Sequence, residues 1–176
     1  MTRRFITAIA LIAIVALAPA CRTKRKPRAT TAENDGQLAS VVSVADPRAA
    51  MQLVRGFHDL ENGAWRWTMR EFAVTLRPPA GSSNSGCQLE LKFLIPETAL
   101  QKLGAITLRA KIGGVELDPQ TFSEPGEATY TREIPANALR GETATIEFST
   151  DKAIPPSDLD QRELAIIVTS IGLTAK

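Results

Sequence analysis

Trp65 and Trp67 stand two residues apart in the segment Trp65-Arg66-Trp67-Thr68. On a strand, residues at that spacing share one face. Two indoles on one face make a platform for sugar rings, whose axial C–H groups stack on aromatic surfaces. The same pair would also serve as core, since a buried tryptophan covers roughly 150–250 Å² and the chain holds only 2 Trp, 1 Tyr and 6 Phe. Arg66, between them, would face the other way, toward Glu61 or Glu71. A second polar group, Asp160, Arg162 and Glu163, sits where a proline-rich loop enters the last strand. With Glu61, Arg66 and Asp160 as polar contacts beside Trp65 and Trp67, the set has the chemistry of a glycan site. The competing role for Arg162 and Glu163 is a structural ion pair that pins the loop, with Arg162 reaching a carboxylate such as Glu61. A planar guanidinium suits that bidentate geometry.

Catalytic constellations are missing. The chain has no Gly-x-Ser-x-Gly and no phosphate-binding loop. The single His58 has no Ser or Cys nucleophile in a recognisable setting. Asp158-x-Asp160 falls far short of a calcium loop, and no cysteine–histidine spacing suits a metal, so neither metal nor cofactor is expected. Glycoside cleavage needs two carboxylates roughly 5–10 Å apart. Glu61, Glu71 and Asp160 offer such pairs, but so does any domain this rich in acids. The expectation is a protein that is not an enzyme.

The amino terminus says where the protein goes. Arg3 and Arg4 precede an apolar run from Phe5 to Ala18, then Ala18-Pro19-Ala20 and Cys21. The run is shorter than the roughly 20 residues a membrane-spanning helix needs and has the build of a bacterial secretion signal. Cys21 follows the small residues directly, as the lipid acceptor of a lipoprotein does, although Ala18 and Pro19 depart from the usual Leu and small residue. Lipidation of Cys21 would anchor the protein to the membrane at the bacterial cell envelope, on the periplasmic or cell-surface side; ordinary cleavage would leave it soluble, periplasmic or secreted. Arg22, Lys24, Arg25, Lys26 and Arg28 oppose simple export, because flanking positive charge prefers the cytoplasmic side. They leave open an inverted anchor, or the twin-arginine route that Arg3-Arg4 loosely suggests.

The basic character belongs to this segment. From Asp46 to Lys176 there are 14 basic and 17 acidic residues, which removes the basic face that nucleic-acid binding requires. The expected organisation is a signal peptide over 1–20, a basic flexible linker over 21–45 and one domain over 46–176. Within the linker, Leu38 to Val44 would pair at most as a stray edge strand. Cys87 opens the alternating run Cys87, Leu89, Leu91, Phe93 and reads as a small core residue.

The elements that position these residues are short strands. Phe72-Val74-Leu76 alternate with Ala73, Thr75 and Arg77, and Leu89-Leu91-Phe93, Ile106-Leu108-Ala110-Ile112 and Ala144-Ile146-Phe148 alternate with polar residues. Thr129 to Ile134 and Leu164 to Thr174 add β-branched runs. Gly113-Gly114 between two such runs predicts a primed hairpin turn. Glu97 to Leu103 and Ala136 to Leu139 allow single helical turns, and Pro47 to Val54 is a short helix or an extended segment. The fold class is all-β: an antiparallel two-sheet β-sandwich, jelly-roll-like.

Gly56-Phe57-His58-Asp59-Leu60-Glu61, Trp65-Arg66-Trp67-Thr68, and Asp160-Gln161-Arg162-Glu163-Leu164 running to Ser170-Ile171-Gly172-Leu173 follow one another in a familiar order. Together they resemble a bacterial family of β-sandwich domains found alone in exported proteins or attached to glycosyltransferases. The resemblance covers roughly residues 55–174 and departs at Ala165, where Gly is frequent. It implies a carbohydrate-related context and supplies no catalytic residue. The expected function is a non-catalytic, lipid-anchored module that binds a glycan. The alternatives are a structural or protein-interaction module that meets an envelope protein and, last, a glycan hydrolase.

Overall fold

The computed structural model describes residues 38–176. The signal at 1–20, Cys21 and the linker up to residue 37 lie outside the described residues. Nine strands follow: β1 Val41–Ser43, β2 Leu53–Glu61, β3 Trp65–Leu76, β4 Cys87–Ile95, β5 Ile106–Ile112, β6 Val115–Phe122, β7 Gly126–Ile134, β8 Ala144–Thr150 and β9 Ile167–Thr174. Every pairing between them is antiparallel.

The pairing forms two layers joined through one strand. One layer runs β1-β9-β4-β7; the other runs β2-β3-β8-β5-β6. β3 belongs to both: Glu71 to Leu76 pair with β8, while Arg66 and Trp67 pair with β9. With β2 set aside, the first strand neighbours the last, then the third and sixth, and the second neighbours the seventh, fourth and fifth. That is jelly-roll order. Alternation follows from it: β4 buries Cys87, Leu89, Leu91, Phe93 and Ile95, and β5 buries Ile106, Leu108, Ala110 and Ile112. These inward residues merge with Phe72, Val74, Tyr130, Ile146, Phe148, Val168 and Ile171 into one core. Phe93 meets Phe122 edge-on at 4.9 Å across the layers, and Phe72 stacks on Phe148 at 4.9 Å within one.

Several expectations shift. The domain boundary at residue 46 falls too late. Val41–Ser43 pairs with Gly172 to Ser170, Val42 and Val44 are buried in the core, and the buried Gln52 side chain bonds both backbone groups of Ala39. Pro47–Met51 is a 3₁₀ turn capped by Asp46, and the chain then extends as β2. Glu97–Leu103 (α2, after the one-turn helix α1 at Ser82–Ser85) is a 7-residue helix rather than a single turn, with Ala99 turned into the core. Gly113 and Gly114 have φ of 55° and 82°, the two positive angles a type I′ hairpin demands.

Candidate functional site

β3 changes layer between Thr68 and Glu71. Thr68 is buried and its backbone pairs with Ala165 and Ile166, whereas Met69, Arg70 and Glu71 are exposed at the bend. β2 follows this bend through three register shifts. Gly56 makes one possible: its φ is 75°, and a Cβ there would stand 2.1 Å from Glu71 O. The bend delivers the first residues of β3, Trp65 to Trp67, to the edge of β9.

Register then sets their neighbours. Trp67 lies opposite Ile167, Ile167 opposite Leu94, and Leu94 opposite Glu127. Directly opposed residues in antiparallel strands share a face, so Trp67, Ile167, Leu94 and Glu127 form a row across β3, β9, β4 and β7. Their neighbours Arg66, Val168, Phe93 and Ala128 occupy the alternate positions, and Val168 and Phe93 are buried in the core, so this row is the outer face. Beside it, Lys92 opposes Thr129, and Trp65 lines the same groove as Lys92, Leu94, Glu127, Thr129 and Ile167. The groove encloses about 600 Å³. Three strand spacings of about 4.8 Å make the row of four roughly 14 Å long, the scale of a short oligosaccharide.

The reading of both tryptophans as core does not hold. Each is half-buried, and neither belongs to the core, which phenylalanines, Tyr130 and aliphatic side chains close without them. Arg66 does turn away from them, but not to Glu61 or Glu71. Its Nε donates to Val44 O (3.1 Å) and its Nη1 to His58 O (2.9 Å), which ties β3 to β2 and to the segment after β1. Its guanidinium is engaged by backbone, away from the groove.

Glu61 opposes Trp65 across the β2–β3 hairpin. Arg162 reaches it: Nη1 donates to Glu61 Oε1 at 2.6 Å, while Nε and Nη2 grip Asp160 at 3.0 and 2.8 Å. The side-chain and backbone donors of Arg162 hold the Asp160 carboxyl down at about 2, and the two carboxylates push the guanidinium pKa up. Glu163 does not pair with Arg162. Its Oε2 accepts from Arg70 N (3.2 Å), and its backbone O takes His58 Nε2 (2.7 Å). The loop is thus pinned to β2 and β3 at three points, beside the Trp65 end of the groove.

Sequence reasoning missed Lys92, Leu94, Glu127, Thr129 and Ile167. A signal was present. In β4 the outward positions run Gln88, Glu90, Lys92 and then Leu94; in β9 the outward Ile167 precedes the inward Val168. Apolar residues in polar register mark a surface that breaks the alternation. At the other end of the sandwich a polar cleft of about 390 Å³ lies between Arg77, Ser82 and Glu142. Among the described residues no group of three or more His, Cys, Asp or Glu could hold a metal ion, and no helix is long and apolar enough to cross a membrane. Cys87 is buried, and burial pushes its thiol pKa up.

No protein-family model matches the chain, and no curated protein matches it. The motif resemblance to the bacterial exported family therefore has no matching family model behind it. Two solved structures are similar in part. One is a carbohydrate-binding module, TmCBM27, solved for specific mannan recognition: 14% identical, covering 79% of this chain and 97% of that one, TM-score 0.45. The other is a family 35 carbohydrate-binding module from an environmental isolate: 18% identical, covering 82% and 90%, TM-score 0.40.

Proposed function

We propose that this chain is a non-catalytic, exported module that binds a glycan in the groove beside Trp65, anchored to the envelope membrane through a lipid on Cys21. One observation carries the reading: two tryptophans, Ile167 and Leu94 stand on an outward sheet face, outside the core, with hydroxyl, ammonium and carboxylate groups beside them. An apolar floor with a few convergent polar groups is how small-ligand sites are built, and indole faces suit sugar rings in particular. A hydrolase would need a carboxyl kept protonated near neutral pH. Among the described residues the carboxyls whose pKa moves (Asp46, Glu133 and Asp160) all move down, each through a hydrogen-bonded cation.

The glycan contacts are Trp65 and Trp67, with Lys92, Glu127 and Thr129 as polar partners. Glu61 and Asp160 support the Trp65 end through Arg162, and Arg66 holds the strand. The protein-partner alternative has its own observation: Met51 in the 3₁₀ turn, Val54 in β2 and Met69 at the β3 bend are 86%, 55% and 41% exposed. A tryptophan-fluorescence titration of the full chain against envelope and plant polysaccharides decides between them. A saturable shift, lost in Trp65→Ala, supports glycan binding. Emission unmoved by every polysaccharide gives the lead to a protein partner.

A further inference from the structure

The groove has a charge pattern that bears on which glycans it takes. Lys92 is the cation on its floor, and its Nζ lies 3.1 Å from Glu90 Oε1, two residues back on the same outward face. Its charge is already met. Glu127, opposite Leu94 at the far end of the row, is exposed, and its side chain makes no ion pair or hydrogen bond among the described residues. At the tryptophan end, Glu61 and Asp160 share the single guanidinium of Arg162. Of the residues that line the groove, only Lys92 and Glu127 carry charge; Lys92 is paired with Glu90, which leaves Glu127 as the uncompensated charge at its end.

We infer that the groove selects neutral glycans and turns away those carrying carboxylate or sulfate, an inference that rests on the glycan-binding reading above. Neutral sugars answer the polar groups in place. The Glu127 carboxylate accepts from ring hydroxyls, and the Lys92 ammonium donates to them. Thr169 Oγ1, on the same groove wall, donates to Lys92 O (3.1 Å) and keeps lone pairs free to accept. A uronate in the same place sets its charge against Glu127 with no free cation beside it, and like charges brought together across a binding surface lower affinity. The groove is open to water, so the penalty is moderate: about tenfold in affinity at low salt, shrinking as salt screens it.

The test uses the full chain and soluble neutral polysaccharides, each paired with its own C6-oxidised, uronate-bearing form, by isothermal titration at low and high salt. The expected result is saturable binding of at least one neutral form and about tenfold weaker binding of its oxidised partner. The gap should narrow at high salt and narrow again in Glu127→Gln, whose fold is checked by thermal melting. Equal or tighter binding of the oxidised form, or a gap that Glu127→Gln leaves unmoved, overturns the selectivity while leaving glycan binding intact. Binding of neither form overturns the glycan reading and this inference with it.

Discussion

Trp65→Ala separates a binding tryptophan from a structural one, because the two roles predict different ratios of stability loss to affinity loss. Trp65 is half-buried on the outer face, so its removal opens no internal cavity. The low end of tryptophan burial, about 150 Å², at about 25 cal/mol per Å² gives an upper bound near 4 kcal/mol. The retained Cβ and the compactness of the unfolded chain remove roughly half of that. The expected loss of folding stability is about 2 kcal/mol, or roughly 6 °C in Tm for a domain of this size. Phe72→Ala is the comparison: Phe72 is 0% exposed, stacked on Phe148 and edge-on to Phe57 at 5.4 Å, and a core deletion of this kind costs about 3–5 kcal/mol. For glycan affinity the order reverses. A well-packed stacking aromatic in a site is worth about 2 kcal/mol, roughly 30-fold, while a Phe72 variant that still folds binds normally. Urea unfolding and titration of both variants give the two numbers. If Trp65→Ala unfolds as easily as Phe72→Ala, or folds and keeps full affinity for a glycan that binds the parent, the placement of Trp65 as a ligand contact is refuted.

Acid should release the loop clamp. The Asp160 carboxyl is held at about 2, below its usual 3.8, so its contribution is complete above 3.8 and is lost as pH falls toward 2; melting of Asp160→Asn should lose that part of the acid dependence. Arg162→Met should raise protease sensitivity within 155–162 with little change in Tm, since Arg162, Glu61 and Asp160 are each about a third exposed and solvent screens such pairs. Gly56→Ala should destabilise by about 2 kcal/mol or more, because it combines positive φ with a clash against Glu71 O; a neutral urea midpoint would contradict the bend geometry. Cys87 is 0% exposed with its thiol pKa raised by burial, so in a Cys21→Ser background it should react with thiol reagents only as fast as the protein opens, and rapid labelling in native buffer would be inconsistent with its place in the core.

The strands that form the core were legible because they obey period two. Phe72, Val74 and Leu76, then Cys87 to Phe93, Ile106 to Ile112 and Ala144 to Phe148 follow that period, and the structure buries the expected set, with Ala73 buried as well. β2 was not legible for a physical reason. Its pairing with β3 shifts register three times, and every shift moves the next side chain to the other face, so Leu53 to Glu61 carries no periodic signal. β1 was underrated because three residues hold little pattern, yet its outward Val41 packs over Gly172, where a Cβ would meet Val41 Cγ2 at 2.8 Å. α2 needed tertiary context: only Ala99 is buried, and Leu100 and Leu103 pack at the margin of the core.

The site was half legible. Residue type singled out Trp65 and Trp67, and chemistry singled out the contact between Arg162 and Glu61. What no local pattern carries is the row Trp67–Ile167–Leu94–Glu127, because those residues lie far apart in the chain and meet only through the register of β3, β9 and β4 with their neighbours. The placement of the tryptophans also carries an energetic argument. The core closes on Phe72, Phe93, Phe148 and Tyr130, while both of the largest apolar side chains stand on an outer face beside Leu94 and Ile167. Burying either tryptophan fully would add stability at about 25 cal/mol per Å². β3 instead bends at Met69 to Glu71, held by Gly56 at positive φ and by Arg66 on two backbone carbonyls, and the tryptophans stay outside. A strand that gives up burial of its largest residues, and is braced to do so, fits the glycan contact proposed above.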